Sequence, residues 1–351
     1  MLGSLDSAAM PAIDIHAHAM PMPVLEWLED EGLADLSGVD RSAASGVIRL
    51  DPRISGVAAG TPLPLARSQW DVTSRLREMD GQGVSHHAVS LPPFLFASTC
   101  QDAGLVDEVI RRGNDALVEY VAEAPERLSG LGTAPVGLGS VADEADRCLA
   151  IGMRGVAIGT RGGGRELDDE VNEPLWALLA ERRALAFLHP SGVPDLHRLT
   201  DYYLPQLLGY PMETAIAVTR LVFSGVRQRH RFPLCLAHGG GCLPWLRGRL
   251  DLGWDRKEVA HATPLPPSDY VRDLYYDSAV FSDEVLADLV RDLGAERVMI
   301  GTDFPFELAD REPLVTVAEL GLSASASEDV HWRTAASLLR IADLMEGVRG
   351  R

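Results

Sequence analysis

Lysine is nearly missing from this chain: Lys257 is the only one in 351 residues, and arginine carries the rest of the positive charge. Imine chemistry needs a lysine amine in an activating setting, so it is left with a single candidate in a polar stretch. Positive charge is scarce altogether, with 32 Lys and Arg against 51 Asp and Glu and a net charge of −19. A phosphate backbone requires a basic footprint, which excludes nucleic acid as a partner. An anionic substrate would need a local group of arginines to work against that global field.

Cysteine is sparse too. Cys100, Cys148, Cys235 and Cys242 form no CxxC pair and no disulfide framework, so reduced thiols are expected. Cys235 sits in an apolar run and reads as core, and Cys242, after a glycine-rich turn, reads as structural. No apolar run reaches the roughly 18 residues of a membrane span. Met1 to Pro11 lacks the basic start and apolar centre of a secretory signal. A cytoplasmic protein that avoids membranes is the expectation.

What the chain does have is a series of short apolar runs alternating with longer amphipathic segments. Candidate strands are Ile13–Ala17, His87–Leu91, Leu128–Pro135, Gly155–Ile158, Ala184–Leu188, Leu234–Ala237, Leu274–Asp277 and Val298–Gly301. Most are continuous in apolar character, as parallel strands buried on both faces are. Helical periodicity follows at Leu105–Ala124, Val141–Ile151, Pro174–Arg183, Glu213–Val226, Leu243–Trp254 and Asp283–Leu293. A long final helix is expected over Glu328–Met345, with Ser327 as its N-cap. Eight strands each followed by a helix predict a (β/α)8 TIM barrel, an α/β fold, in a single domain spanning residues 1–351. The surplus sequence is mainly residues 20–69, rich in Pro, Gly, Ser and Ala, and is expected to form a lid or small β insertion after strand 1.

The polar residues fall where such a barrel keeps its chemistry, at the C-terminal ends of strands. Asp14-Ile15-His16-Ala17-His18 ends strand 1, and in a strand residues two apart share a face, so both imidazoles aim at one point. His189 ends strand 5, His238 ends strand 6 before Gly239-Gly240-Gly241, and Asp303 ends strand 8. Five such groups at one end of a barrel predict a metal site. Strand 4 ends Ala157-Ile158-Gly159-Thr160 and offers no bridging Lys or Glu, which favours one metal over two. His86, His87, His197, His230, His261 and His331 read as surface residues.

At this point the chain resembles the amidohydrolase superfamily. More closely it resembles the family containing 2-amino-3-carboxymuconate-6-semialdehyde decarboxylase, over about Ile13 to the C-terminus. The residues that carry the likeness include Trp70-Asp71, Pro211-Met212-Glu213-Thr214, His238-Gly239-Gly240-Gly241 through Gly248-Arg249-Leu250-Asp251, Asp277-Ser278-Ala279-Val280-Phe281 and Gly301-Thr302-Asp303-Phe304-Pro305-Phe306. The resemblance implies His16, His18, His189 and Asp303 as ligands of one Zn2+ per chain, with another divalent ion able to use the same donors. It implies His238 as acid/base, with Asp303 as a second catalytic group. It implies a homodimer in which Arg249 reaches the neighbouring subunit's site.

The chain also departs from the family pattern. Ser191 stands where an aromatic is usual, Gln206 replaces a tryptophan, and the spacing of the family's carboxylate-binding arginine falls on Leu63. Arg67 or Arg53 is left to bind the substrate carboxylate, with Arg249 and Phe306 as further substrate contacts. The implied activity is non-oxidative decarboxylation of a small unsaturated or aromatic carboxylic acid. The alternative with the same ligands is hydrolysis of a lactone, amide or C–C bond.

Overall fold

The computed structural model of the chain describes residues 10–349. The expectation that Met1 to Pro11 is no secretory signal falls, up to residue 9, outside the described residues. Eight parallel strands follow one another around a barrel in chain order: β1 Ile13–His18, β2 His86–Ser90, β3 Leu128–Ala134, β4 Gly155–Gly159, β5 Leu185–His189, β6 Leu234–Leu236, β7 Tyr275–Asp277 and β8 Val298–Met299. The end beyond β8 closes on β1 through backbone hydrogen bonds from Ile15 to Ile300 O (2.9 Å), Asp303 to His16 O (2.9 Å) and His18 to Phe304 O (2.8 Å). Closure leaves no open strand edge, and it places residue 303 beside residues 16 and 18 although nearly the whole chain separates them.

Helices Ala103–Ala122, Val141–Ala150, Glu173–Arg182, Tyr210–Phe223, Leu243–Arg256 and Asp283–Leu293 cover the outside. Their boundaries agree with the periodicity except at the fourth. There a π-helical stretch Pro205–Gly209 leads straight into Tyr210, because Pro211 falls in the first turn, where its missing N–H costs no helical bond. The expected long final helix is broken. Ser323, not Ser327, caps it by accepting from the Ala326 N–H at 3.3 Å. A π-turn runs over Asp329–Arg333, and Arg340 at φ 56° ends the helix before Ala342–Arg349. Among the described residues no helix is long and apolar enough to cross a membrane.

Residues 20–69 form the small β insertion expected after strand 1, with a helix ahead of it. Helix Met22–Asp30 follows β1 and buries Met22, Val24, Leu25 and Leu28. Strands Ala34–Gly38, Ser45–Leu50 and Leu63–Ala66 then form a small antiparallel sheet. The loop from Val57 to the start of the third strand reaches back over the barrel mouth, where Val57, Thr61, Pro62 and Leu63 meet the central cavity.

Three histidines expected at the surface are buried: His86 and His87 fully and His331 nearly so. His86 lies within bonding distance of Ser129 Oγ (2.8 Å), and burial pushes its imidazole down to about 4. His87 Nδ1 lies 3.1 Å from the Arg75 guanidinium and its ring meets Phe304. His331 Nδ1 donates to Ser327 O at 2.8 Å. His86 and His331 find local partners that let them leave water, whereas His87 keeps its Nε2 without a hydrogen-bond partner, 3.6 Å from Asp14 Oδ2.

Candidate active site

Three imidazoles and one carboxylate converge at the C-terminal end of the barrel. Alternation along β1 turns Asp14, His16 and His18 to the interior while Ile13 and Ile15 face the helices. His16 Nε2 and His18 Nε2 lie 3.1 Å apart, and each is 3.3 Å from Asp303 Oδ1. His189 completes the group, and one potential ligand atom from each of the four residues lies within 4.8 Å of the others.

The opposite ring nitrogens decide which atom is free. His16 Nδ1 is 2.6 Å from Asp277 Oδ2, His18 Nδ1 is 3.3 Å from Leu91 O, and His189 Nδ1 is 2.8 Å from Pro190 O. A carbonyl or carboxylate oxygen only accepts, so each Nδ1 is the protonated nitrogen and each Nε2 keeps a bare lone pair. Three lone pairs and a carboxylate oxygen aimed at one another are unstable without a cation between them. His189 Nε2 and Asp303 Oδ1 are accordingly buried without a hydrogen-bond partner. Mixed nitrogen and oxygen donors of this kind suit a divalent transition metal.

The surroundings set the charge on these groups. Burial holds His189 well below the ordinary imidazole range, helped by the neighbouring His18, His16 and His238, and burial likewise lowers His18. Burial would also depress His16, but Asp303 and Asp277 outweigh it and raise the group to about 10. Burial opposes ionisation of Asp303, yet His16, His18 and His238 hold it well below the usual carboxylate range. A cation seated among these lone pairs would take over the role that a proton on His16 plays in its absence.

His238 stands next to the group and outside it. Its Nε2 is 3.7 Å from Asp303 Oδ2, while Asp303 Oδ1 faces His16 and His18. One carboxylate thus serves the metal donors with one oxygen and His238 with the other. Both residues have left-handed backbone, His238 at φ 56° and Asp303 at φ 66°. That conformation costs on the order of 1–3 kcal/mol for a residue with a Cβ, and such strain gathers at functional sites. Gly241 and Gly301 make the packing feasible: a Cβ on Gly241 would lie 2.2 Å from Pro211 O, and one on Gly301 would lie 2.5 Å from the Cβ of Asp277.

The group opens into a cavity of about 580 Å3, bounded by the 57–64 loop, the segment from Tyr203 to Pro211, the turn after β6 and the loops after β7 and β8. A profile of the Amidohydrolase family matches residues 13–341. The chain belongs to the amidohydrolase family. It is 33% identical over 307 residues to 2-amino-3-carboxymuconate-6-semialdehyde decarboxylase of Dictyostelium discoideum, covering 86% of this chain and 83% of that protein. The structure of 5-carboxyvanillate decarboxylase LigW from Sphingomonas paucimobilis superposes with a TM-score of 0.80 at 25% identity, covering 95% of this chain and 100% of that one. In fold it also matches a dihydroxybenzoic acid decarboxylase from Polaromonas sp. JS666, solved with manganese and the inhibitor 2-nitroresorcinol, with a TM-score of 0.74 at 22% identity over 96% and 99% of the two chains.

Within this amidohydrolase, Phe306 lines the cavity. Its ring is 5.4 Å from that of His18 and edge-on to Phe94 at 5.9 Å, and both phenylalanines line the cavity. The arginines do not join them. Arg67 lies against Asp71 (3.4 Å) and over Trp70, Arg53 pairs with Asp51, and Arg249 is exposed on helix Leu243–Arg256. None of the three lines the cavity, whereas Leu63 does.

Sequence reasoning passed over the residues that hold the donors in place. Asp277 takes the His16 Nδ1–H on one oxygen and the N–H groups of Gly239 (2.7 Å) and Ala279 (3.2 Å) on the other, so it fixes the tautomer of His16 and the turn carrying His238. Asp14 accepts from the Thr302 hydroxyl (2.6 Å) and from the His16 N–H (2.9 Å), tying strand 1 to the backbone just before Asp303. Burial, opposed by those bonds, lifts Asp14 to about 7. Arg75, fully buried, donates to the carbonyl of His18, to Ser68 O and to the Tyr120 hydroxyl.

Proposed function

We propose that this amidohydrolase is a metal-dependent decarboxylase that releases CO2 from a small unsaturated or aromatic carboxylic acid. The observation that carries the reading is the end-to-end likeness to a decarboxylase in a chain whose four donors and adjacent histidine stand together at the floor of one cavity. His16, His18, His189 and Asp303 would hold one ion, for which we propose zinc; manganese suits the same donors, and availability often decides between them. A divalent ion bound there supplies a Lewis acid that polarises a carboxylate or neighbouring hydroxyl of the substrate.

The chain's own residues supply the rest. When the bond to the carboxyl carbon breaks, its electron pair stays on the substrate carbon, which must take a proton. His238 is placed to give it, with its Nε2 3.7 Å from Asp303 Oδ2 and beside the donor group. Phe94 and Phe306 offer flat faces for an unsaturated plane, and the 57–64 loop serves as a lid that limits water. For assembly we propose a homodimer in which Arg249 of each copy serves the other's site. Light scattering of active fractions should then give a dimer, and a fully active monomer would remove that role from Arg249.

The direct test is CO2 release by the metal-loaded protein from a panel of hydroxybenzoic and unsaturated acids, run beside lactone and amide substrates. Carbon dioxide from at least one acid, with the hydrolase substrates untouched, is the expected result. Hydrolysis without CO2 release would replace the reading by a hydrolase one.

A further inference from the structure

We propose that the acid taken by this site carries one carboxylate, the one it loses, and an apolar substituent of alkyl-chain or second-ring size where a second anionic group would otherwise be. The inference rests on the decarboxylase reading for the first half and on the cavity alone for the second.

Charge is the first argument. Among the described residues that line the cavity there is no arginine and no lysine. Arg161, on the segment after β4, lies 3.6 Å from Glu213 and donates to Val193 O, and it too is outside the lining. The one charged side chain in the wall besides the donor group is Glu307, an acid. A second carboxylate entering here would lose its hydration and gain no cation, in a chain already carrying −19. An Arg249 reaching in from a second copy would answer the reacting carboxylate and leave nothing for another.

Shape and chemistry are the second argument. Away from the donors, the cavity runs between the loop after β7 and helix Asp283–Leu293, where Val280, Phe281, Val285 and Leu289 form its wall and Trp245 its edge. Among these five only the exposed Trp245 carries a polar atom, an indole N–H that water can serve, so an apolar group fits without leaving a buried donor or acceptor unpaired. Leu63 adds a further apolar side chain to the lining. At about 580 Å3 the space lies well inside the range of ligand pockets of about 300–1,000 Å3 and exceeds what one unsubstituted ring fills.

Binding to the metal-loaded protein tests this without turnover. 2-Nitrophenol, whose nitro group stands in for the reacting carboxylate and cannot leave as CO2, is compared with its ring-pentyl isomers and its ring-carboxyl isomers by isothermal titration calorimetry. Each buried methylene tightens binding about fourfold, so the best pentyl isomer should bind at least ~30-fold more tightly than 2-nitrophenol, with a more negative heat-capacity change. The carboxyl isomers should gain nothing, and Leu63→Arg should favour them at the expense of the pentyl isomers. Equal binding of 2-nitrophenol and every pentyl isomer, or tightest binding of a carboxyl isomer by wild type, would overturn the inference. The corresponding salicylates separate the two readings. Tighter pentyl binding with no CO2 from any acid would sink the decarboxylase and leave the apolar subsite standing. Preferred CO2 release from a ring-carboxyl salicylate would keep the decarboxylase and sink the subsite.

Discussion

Replacing His238 by alanine should leave the metal content unchanged and slow CO2 release by about 10^2–10^4-fold, the range spanned by a positioned proton donor. The expectation follows from where His238 stands. Its Nε2 is 3.7 Å from Asp303 Oδ2, while the proposed ion site is formed by His16, His18, His189 and the other oxygen of that carboxylate, Asp303 Oδ1. Removing the imidazole therefore takes away a proton and no ligand. Alanine keeps the Cβ, so the left-handed backbone at position 238 is no more strained than before and a folding defect is not expected. Elemental analysis and single-turnover CO2 release on the same preparation check both halves. A variant that keeps its turnover would assign the proton to another group, and one that loses its metal would make His238 a ligand.

Asp277→Ala should lower metal affinity by about 10–100-fold while leaving the four proposed ligands in the chain. Asp277 is the acceptor that keeps the proton of His16 on Nδ1, at 2.6 Å. Without it the neutral ring can carry its proton on Nε2 and present an N–H where a lone pair is needed. The Gly239 and Ala279 N–H groups lose their acceptor in the same change, so the turn bearing His238 loosens too. Asp277→Asn separates these effects, since its carbonyl oxygen can still accept one of the bonds. Titration of the apo protein with Zn2+ against a competing chelator gives the affinities. Wild-type affinity in the alanine variant would show that His16 is oriented by something else.

The donors were legible in the sequence because alternation and strand ends make them so. His16 and His18 are two apart in an apolar run, and His189, His238 and Asp303 each end another. The residues that orient them were not, since their partners are set by barrel closure: Asp277 meets His16 across 261 positions and Asp14 meets Thr302 across 288. Arg75 left a trace that passed unread, for with Val72 and Met79 it lies on the stripe that helix Val72–Gln82 buries. His86 and His87 misled because an exposed histidine pair and a buried one look alike until Ser129 and Arg75 are seen beside them. In residues 20–69 the small β insertion was expected, but Pro21 and Pro23 disguised the start of helix Met22–Asp30, where proline is tolerated, and strands of four to six residues carry too little alternation to fix their bounds. Arg53 and Arg67 stay out of the cavity because a neighbouring carboxylate holds each, Asp51 at 3.0 Å and Asp71 at 3.4 Å, pairings that spacing along the chain does not disclose.

The account stands on a single ion held by His16, His18, His189 and Asp303, and metal content by elemental analysis tests that most directly. Wild-type protein, purified without chelator, should carry about one divalent ion per chain, and His16→Ala/His18→Ala, lacking two of four donors, should carry none. Two ions per wild-type chain, or an ion retained in full by the double variant, would contradict it.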